Sequence, residues 1–260
     1  MTFCLDADKC DALLALDEAL DHRDYALIGA AALGFHIELP RFTADLDLVV
    51  ACDAKDLDAR LIDKGWIRDS RLAYRWHLHG VYVDIVAAST NDLAVGYVDY
   101  DGYRLNLAGC DLALRHAHVA QLRPQPNVNS ANFLIATLPS IVVMKMAAWL
   151  DRPHARTKDL GDIARALTEA ECEDRRWNLQ SSASDLEYED VPSFLIGCDV
   201  GAIAENSHLE LIRKFMQKVP ADTMGTQAQW PQRDRERRAA RMLEMFERGV
   251  EDGRSGQPKI

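Results

Sequence analysis

Apolar and polar positions in the first third of the chain follow the period of two that β-strands require. Residues 25–28 are continuously apolar, residues 45–51 alternate aspartate with leucine before two valines, and residues 81–87 form an apolar run with one internal aspartate. Because successive strand side chains point to opposite faces, this pattern predicts strands with one buried face. Residues 72–78 precede the third run by only a histidine and a glycine, which predicts a hairpin.

Helical periodicity prevails in most of the remaining chain. Leucines recur at helical spacing in residues 8–23, and the alanine-rich residues 30–35 favour a helix that begins in a tight turn at Gly29 and ends before Pro40. Further helices are expected at residues 53–64, 139–150, 157–170, 192–204, 208–219 and 232–248.

Prolines at residues 124 and 126 mark a break in the pattern. Before it the chain mixes strands with helices, and after it one last short strand is followed by helices only. We therefore predict two domains: a sheet-containing domain of residues 1–126 and a mainly helical domain of residues 127–260.

Three aspartates lie within the predicted strands. Asp45 and Asp47 are separated by one leucine, so both carboxylates project from the same face of a strand. Asp84 lies in the middle of an apolar strand, where an unpaired carboxylate would be costly. A shared divalent cation explains all three, because carboxylate oxygens are ligands that Mg²⁺ prefers and Mg²⁺ neutralises phosphate charge during group transfer. Backbone N–H groups after Gly29 are suited to binding an anion.

Composition narrows the classes of function. The formal net charge of −11 argues against a broad electrostatic surface for nucleic acid, although a local basic patch is compatible with it. The six cysteines show no spacing typical of a zinc site. Residues 1–24 lack the basic start of a secretory signal, and the apolar residues 138–150 are too few to cross a bilayer. We expect a cytoplasmic protein that does not associate with a membrane.

A second group of charged residues lies on the helices predicted after the break. Lys145 is followed by Arg152, Lys158, Asp159 and Asp162. The basic side chains are suited to neutralising phosphates, and Arg152 is also suited to a fork with Asp159. Asp159 and Asp162 are three apart on one helix face, where they are placed to steady Lys145 or Arg152. Spacing alone favours the simpler interpretation, in which these residues form a solvated helix face with ion pairs between neighbouring turns.

The two motifs together resemble the nucleotidyltransferase superfamily with the polymerase-β-like fold, and in particular its branch of AbiEii-type toxins. The strand, turn and acidic positions that carry this likeness are Gly29, Ala30, Arg41, Thr43, Asp45, Leu46, Asp47, Leu48 and Asp84. The stretches from Lys145 to Arg152 and from Lys158 to Asp162 are similar to the K-x-x-A-x-x-x-R and (R/K)-D-x-x-D helices of the same branch. The likeness covers residues 25–167. Ala30 departs from it, because the family has glycine or serine there and the serine hydroxyl often contacts the triphosphate.

The resemblance implies an α+β fold, with a polymerase-β-like sheet flanked by helices and a C-terminal helical domain. It implies metal-dependent transfer of an NMP group from an NTP to an acceptor hydroxyl, with Asp45, Asp47 and Asp84 as catalytic residues and as ligands of Mg²⁺ or Mn²⁺. The residues expected to bind the nucleotide are Gly29, Ala30, Arg41, Thr43, Lys145, Arg152, Lys158, Asp159 and Asp162. A toxin-like setting is also implied, with tRNA or a protein as the candidate acceptor and an antitoxin as the partner.

Several alternatives are open on the sequence. A non-catalytic member of the same fold that binds nucleotide or a partner would explain why residue 30 is alanine and why the net charge is negative. Phosphatases of the haloacid-dehalogenase class share the sequence pattern at residues 45–49, but their apolar strand precedes the first aspartate. Metal-dependent glycosyltransferases also use D-x-D, but without a third aspartate on a later strand. The pairs His77 with His79 and His116 with His118 would suit Zn²⁺, although no cysteine or acidic ligand stands at a companion spacing.

Overall fold

The computed structural model describes residues 7–21, 24–39, 45–100, 102–121, 132–170, 175 and 186–256. The chain forms two compact units, Met1–Thr137 and Leu138–Ile260. The first contains all the described strands and the second only helices, which confirms the predicted α+β class. The boundary predicted at residue 126 lies outside the described residues, as do Arg41 and Thr43.

Strands and short helices alternate in the first unit. Its strands are β1 (Tyr25–Ile28), β2 (Leu46–Val50), β3 (Ile67–Arg68), β4 (Arg75–Leu78), β5 (Val81–Ala87), β6 (Tyr97–Tyr100), β7 (Tyr103–Asn106), β8 (His118–Gln121) and β9 (Asn132–Ile135). Its helices are α1 (Ala7–Leu20), α2 (Gly29–Gly34), α3 (Ala54–Asp63), α4 (Thr90–Val95) and α5 (Cys110–Arg115). The sequence did not predict α4 and α5, because six residues contain too few apolar repeats to display a helical period.

Seven of the strands form one mixed sheet in the order β3-β4-β5-β2-β1-β9-β8. The strand β2 lies at its centre, antiparallel to β1 and parallel to β5. Parallel neighbours need a crossover connection, which here consists of α3, β3 and β4. Leu46 and Leu48 of β2 are buried together with Val83 and Ile85 of β5, so one face of these central strands packs into the core. The opposite face carries the aspartates.

The predicted hairpin between β4 and β5 is confirmed. It closes through His79 and Gly80, and Leu78 pairs with Val81. Both turn residues have positive φ, +49° at His79 and +86° at Gly80, as the common two-residue hairpin loops require. This turn sets the register of every pair along the two strands.

Helices account for the described part of the second unit. They are α6 (Leu138–Asp151), α7 (Thr157–Glu169), α8 (Val191–Ile203), α9 (Asn206–Lys218), α10 (Ala221–Gln227) and α11 (Arg235–Arg254). All helices predicted after residue 138 are present, and α10 is an additional short one. Trp149 of α6 packs edge to face on Phe215 of α9, with ring centroids 5.4 Å apart. No helix among the described residues is both long and apolar enough to span a membrane.

Candidate functional site

The central strands bring the three aspartates of the first motif onto one face of the sheet. Asp47 of β2 is in register with Asp84 of β5, so their side chains project side by side. Asp45 stands two residues before Asp47 and therefore points to the same side. All three are partly accessible, whereas the alternate residues Leu46 and Val83 are fully buried.

Gly29 leaves the space into which the Asp47 carboxylate fits. It joins β1 to α2 with φ of +70°, a conformation that side chains with a Cβ rarely adopt. A Cβ at this position would collide with the carboxylate of Asp47. The glycine is therefore needed both for the turn and for the close approach of the acidic side chain, whereas the partly buried Ala30 adds only a methyl group.

Arg75 is a member of this site that the sequence motifs did not reveal. Its Nε donates to Oδ1 of Asp84 at 2.6 Å, and its Nη2 donates to Oδ2 of the same residue at 2.9 Å. The same Nη2 lies 3.4 Å from Oδ2 of Asp45. Pairing with Asp84 raises the pKa of Arg75 above its ordinary value, so the guanidinium is a permanent cation within the acidic group.

The carboxylates of the three aspartates are suitable ligands for a hard cation such as Mg²⁺, but in this structure Asp45 and Asp84 contact the guanidinium of Arg75. Carboxylate oxygens are the donors that Mg²⁺ takes, and Arg75 demonstrates that the group accepts positive charge. Across the described residues, however, no three His, Cys, Asp or Glu side chains are arranged to hold a metal ion. A metal on Asp84 would replace the two hydrogen bonds from Arg75.

Charged residues of the second motif form a buried cluster inside the helical unit. Nζ of Lys145 on α6 lies 3.1 Å from Oδ1 of Asp159 and 2.7 Å from Oδ2 of Asp162, both on α7. The three residues are only 7%, 3% and 4% exposed. Oδ2 of Asp159 accepts no hydrogen bond from the described residues and lies 3.8 Å from Nη1 of Arg156. The interpretation as a solvated helix face is therefore wrong for these three residues.

The other basic residues of that motif lie at the surface. Arg152 is exposed and its Nε lies 3.2 Å from Oδ2 of the neighbouring Asp151. Lys158, one residue before Asp159, is also exposed. The structure thus separates the motif into a buried cluster and two accessible cations.

Three of the histidines considered for zinc, His77, His79 and His118, have other surroundings, and His118 lies beside His36, which was not among the candidates. His36 Nε2 donates to the carbonyl oxygen of Ala136 at 2.8 Å, and its ring lies 5.5 Å from that of His118. Burial lowers the pKa of both imidazoles. His77 faces Tyr82 with ring centroids 5.6 Å apart, and His79 lies in the hairpin turn.

A mixed sheet, an Asp-x-Asp strand in register with a third aspartate, and a glycine turn beside them are features of the nucleotidyltransferases. The family model for "Nucleotidyl transferase AbiEii toxin, Type IV TA system" matches residues 11–252. The chain therefore belongs to the AbiEii family of nucleotidyltransferase toxins. The resemblance drawn from the motifs is confirmed, and the match extends it through the helical unit.

Solved structures resemble the chain more distantly. An antigenic nucleotidyltransferase-like protein from Paracoccidioides brasiliensis is 22% identical, with 61% of this chain and 75% of that one covered and a TM-score of 0.41. The antibiotic-resistance factor ANT(2'')-Ia is 11% identical over 91% and 96%, with a TM-score of 0.38. JHP933 from Helicobacter pylori is 15% identical over 95% and 92%, with a TM-score of 0.37. No curated protein matches the chain significantly. Family membership therefore depends on the family model and not on these likenesses.

Proposed function

We propose that this protein is a Mg²⁺-dependent nucleotidyltransferase toxin of the cytoplasm that moves an NMP group from an NTP to an acceptor hydroxyl, with tRNA as the candidate acceptor. The observation that supports this most directly is the register of Asp47 with Asp84, next to Asp45 and to the space left by Gly29. Three acidic side chains on one sheet face are a costly arrangement unless a cation neutralises them.

Asp45, Asp47 and Asp84 would hold Mg²⁺, which when bound neutralises the phosphates of the NTP. Arg75 now supplies the positive charge between Asp84 and Asp45. In the proposed reaction its guanidinium leaves these carboxylates and pairs with a phosphate instead, because an arginine fork fits phosphate oxygens as well as a carboxylate.

Asp84 is the residue that we assign to the acceptor hydroxyl. In the transfer, the hydroxyl oxygen forms a bond to the α-phosphorus, and the bond from that phosphorus to the oxygen bridging to the β-phosphorus breaks. Pyrophosphate leaves with the electron pair of the broken bond. The hydroxyl proton passes to the Asp84 carboxylate and from there to water.

The residues of the second motif divide into two roles in this proposal. Arg152 and Lys158 are exposed, so phosphates reach them without removing a charge from a buried pair. Lys145, Asp159 and Asp162 act as positioning residues within the helical unit, because their buried ion pairs fix α7 against α6 and thereby hold Arg152 and Lys158 in place.

Label transfer tests the proposal. The full chain is incubated with Mg²⁺, bulk tRNA and NTPs labelled at the α-phosphate, and in parallel with NTPs labelled at the γ-phosphate. Only the α-label should appear on the acceptor, and Asp47→Asn and Asp84→Asn should lower its transfer at least 100-fold. Asp99→Asn is a matched control, because this exposed aspartate lies on β6 of the same unit. Equal labelling by the Asp47 variant and the wild type would reject the proposal.

One observation favours a second candidate, a non-catalytic nucleotide-binding protein. Arg75 already neutralises Asp84 through two hydrogen bonds, so this carboxylate does not depend on a metal for its charge balance. Calorimetry separates the two candidates. Binding of NTP without label transfer to tRNA or to protein acceptors would support the binding protein.

The proposal includes an antitoxin as the partner of this toxin, as the family description implies. Expression of the chain alone should arrest bacterial growth, and the Asp47→Asn variant at equal abundance should not.

A further inference from the structure

Two rows of side chains lie next to each other on the exposed face of the central sheet. The first is the acidic row of Asp47, Asp84 and Arg75, which are neighbours across β2, β5 and β4. The second lies two residues further along the same strands. There Tyr82 of β5 is in register with His77 of β4, and His77 is in register with Ile67 of β3.

The second row, which we call the Tyr82 row, is unusually apolar for a solvent-facing surface. Ile67 is 59% exposed and Tyr82 is 45% exposed. The solvated face of an antiparallel sheet normally carries polar residues, whereas the alternate residues Trp76 and Val83 already supply the apolar face that is buried. The core therefore does not account for the Tyr82 row.

The row has the chemistry of a surface on which a planar ring stacks, with the exposed Tyr82 ring as the stacking partner. The rings of His77 and Tyr82 are neighbours, with centroids 5.6 Å apart and planes inclined by 51°, and Cζ of Arg75 lies 5.9 Å from the Tyr82 ring. Aromatic side chains on an open sheet face are a recurrent means of binding single-stranded RNA, because every base has a π-face that stacks on them.

Its place in the sheet indicates which nucleobase would stack there. Gly29 adjoins Asp47 from the side of β1, whereas Tyr82 lies on β5, on the opposite side of β2. Tyr82 and Asp84 are two residues apart on one strand, or about 7 Å, which is comparable to the distance from a base to the hydroxyls of its ribose. A base on the Tyr82 row therefore brings its own ribose towards Asp84.

We propose that the Tyr82 row binds a nucleobase at the reacting end of an RNA acceptor and so presents that nucleotide's hydroxyl to Asp84. The inference depends on the proposed function for the role of Asp84, but the binding itself is measurable without any transfer. Arg75 adds a cation at the border of the row, and the exposed Arg71 lies on the chain just before β4, where the RNA backbone would continue.

Anisotropy with the full chain and a fluorescently labelled single-stranded oligo(A) RNA, with bulk tRNA as competitor, tests the proposal. Tyr82→Ala should weaken RNA binding about 5- to 150-fold, the effect of losing one stacked base, and Tyr82→Phe should remain within about twofold of the wild type. Tyr103→Ala is the matched control, because Tyr103 is a 59% exposed tyrosine on the separate β6–β7 hairpin. The Kd for a non-hydrolysable NTP should be unchanged in all three variants.

Three results would overturn the inference. In the first, the wild type binds neither oligo(A) nor tRNA in this assay. In the second, Tyr82→Ala and Tyr103→Ala weaken RNA binding equally or not at all. In the third, Tyr82→Ala weakens NTP binding and leaves RNA binding unchanged. The last result would assign the Tyr82 row to the donor base. Failure of the proposed function gives a different result from failure of this inference. If only the proposed function fails, Tyr82→Ala still weakens RNA binding, but the wild type transfers no NMP. Asp47→Asn should bind RNA like the wild type yet transfer nothing.

Discussion

Substitution of Lys145 by methionine is the sharpest test of how the helical unit is held together. Methionine retains the length of the side chain but removes its charge. The ammonium group lies between the carboxylates of Asp159 and Asp162, and all three residues are less than a tenth exposed. Loss of the cation leaves two carboxylates close together in a site that water hardly reaches, and Oδ2 of Asp159 already accepts no hydrogen bond from the described residues.

The magnitude follows from the burial of all three partners. Removing one member of a buried ion pair costs about 3–5 kcal/mol, because the remaining charge is desolvated and uncompensated. Since neither partner is exposed, this value needs no reduction for screening by solvent. At 2–4 °C per kcal/mol, the melting temperature should fall by roughly 6–20 °C.

Urea unfolding followed by circular dichroism measures the effect, with three variants compared with the wild type. Lys145→Met should lose about 3–5 kcal/mol of unfolding free energy, and Lys158→Met on the exposed side of α7 should stay within about 0.5 kcal/mol. The triple variant with Asp159→Asn and Asp162→Asn added should recover at least half of the loss, because no unpaired charge remains. A loss below about 0.5 kcal/mol in Lys145→Met, or an equal loss in Lys158→Met, would refute the reasoning.

Three further predictions concern the first unit. Gly29→Ala should abolish label transfer and lower stability by about 1–3 kcal/mol, measured by urea unfolding, because its Cβ meets the Asp47 carboxylate and its φ is unfavourable. Arg75→Gln should bind Mn²⁺ on the order of tenfold more tightly by calorimetry, because the metal no longer competes with the guanidinium on Asp84, and unchanged affinity would contradict this. Burial lowers the pKa of His36 below 6.5, so the unfolded chain takes up its proton first and stability should fall as the pH drops below 6.5. Urea unfolding between pH 8 and about pH 5 should show this decline. His36→Gln should reduce its slope by at most about 1.4 kcal/mol per pH unit, the contribution of one proton, because the lowered pKa of His118 leaves a second contribution in place.

The strand pattern was sufficient to predict the acidic part of the site. In a strand, the period of two places Asp45 and Asp47 on one face, whatever the tertiary structure. An isolated aspartate in an apolar strand, such as Asp84, requires a partner for its charge. The His79–Gly80 turn also contained the signal for Arg75, because a two-residue hairpin places it opposite Asp84. That pairing was implied by the sequence but not recognised, since the expected motif has its arginine at residue 41 and none on the strand before the hairpin turn.

Tertiary structure decided the features that depend on distant segments. The sequence placed Asp159 and Asp162 on one helix face and named Lys145 or Arg152 as the cation that they steady. Periodicity does not decide between these two, so the burial of Lys145 between the carboxylates was determined only by folding. Likewise, β3 is too short to be recognised by alternation, and only its pairing with β4 completes the Tyr82 row. Local spacing determines the direction in which a side chain points, whereas long-range pairing determines what it meets.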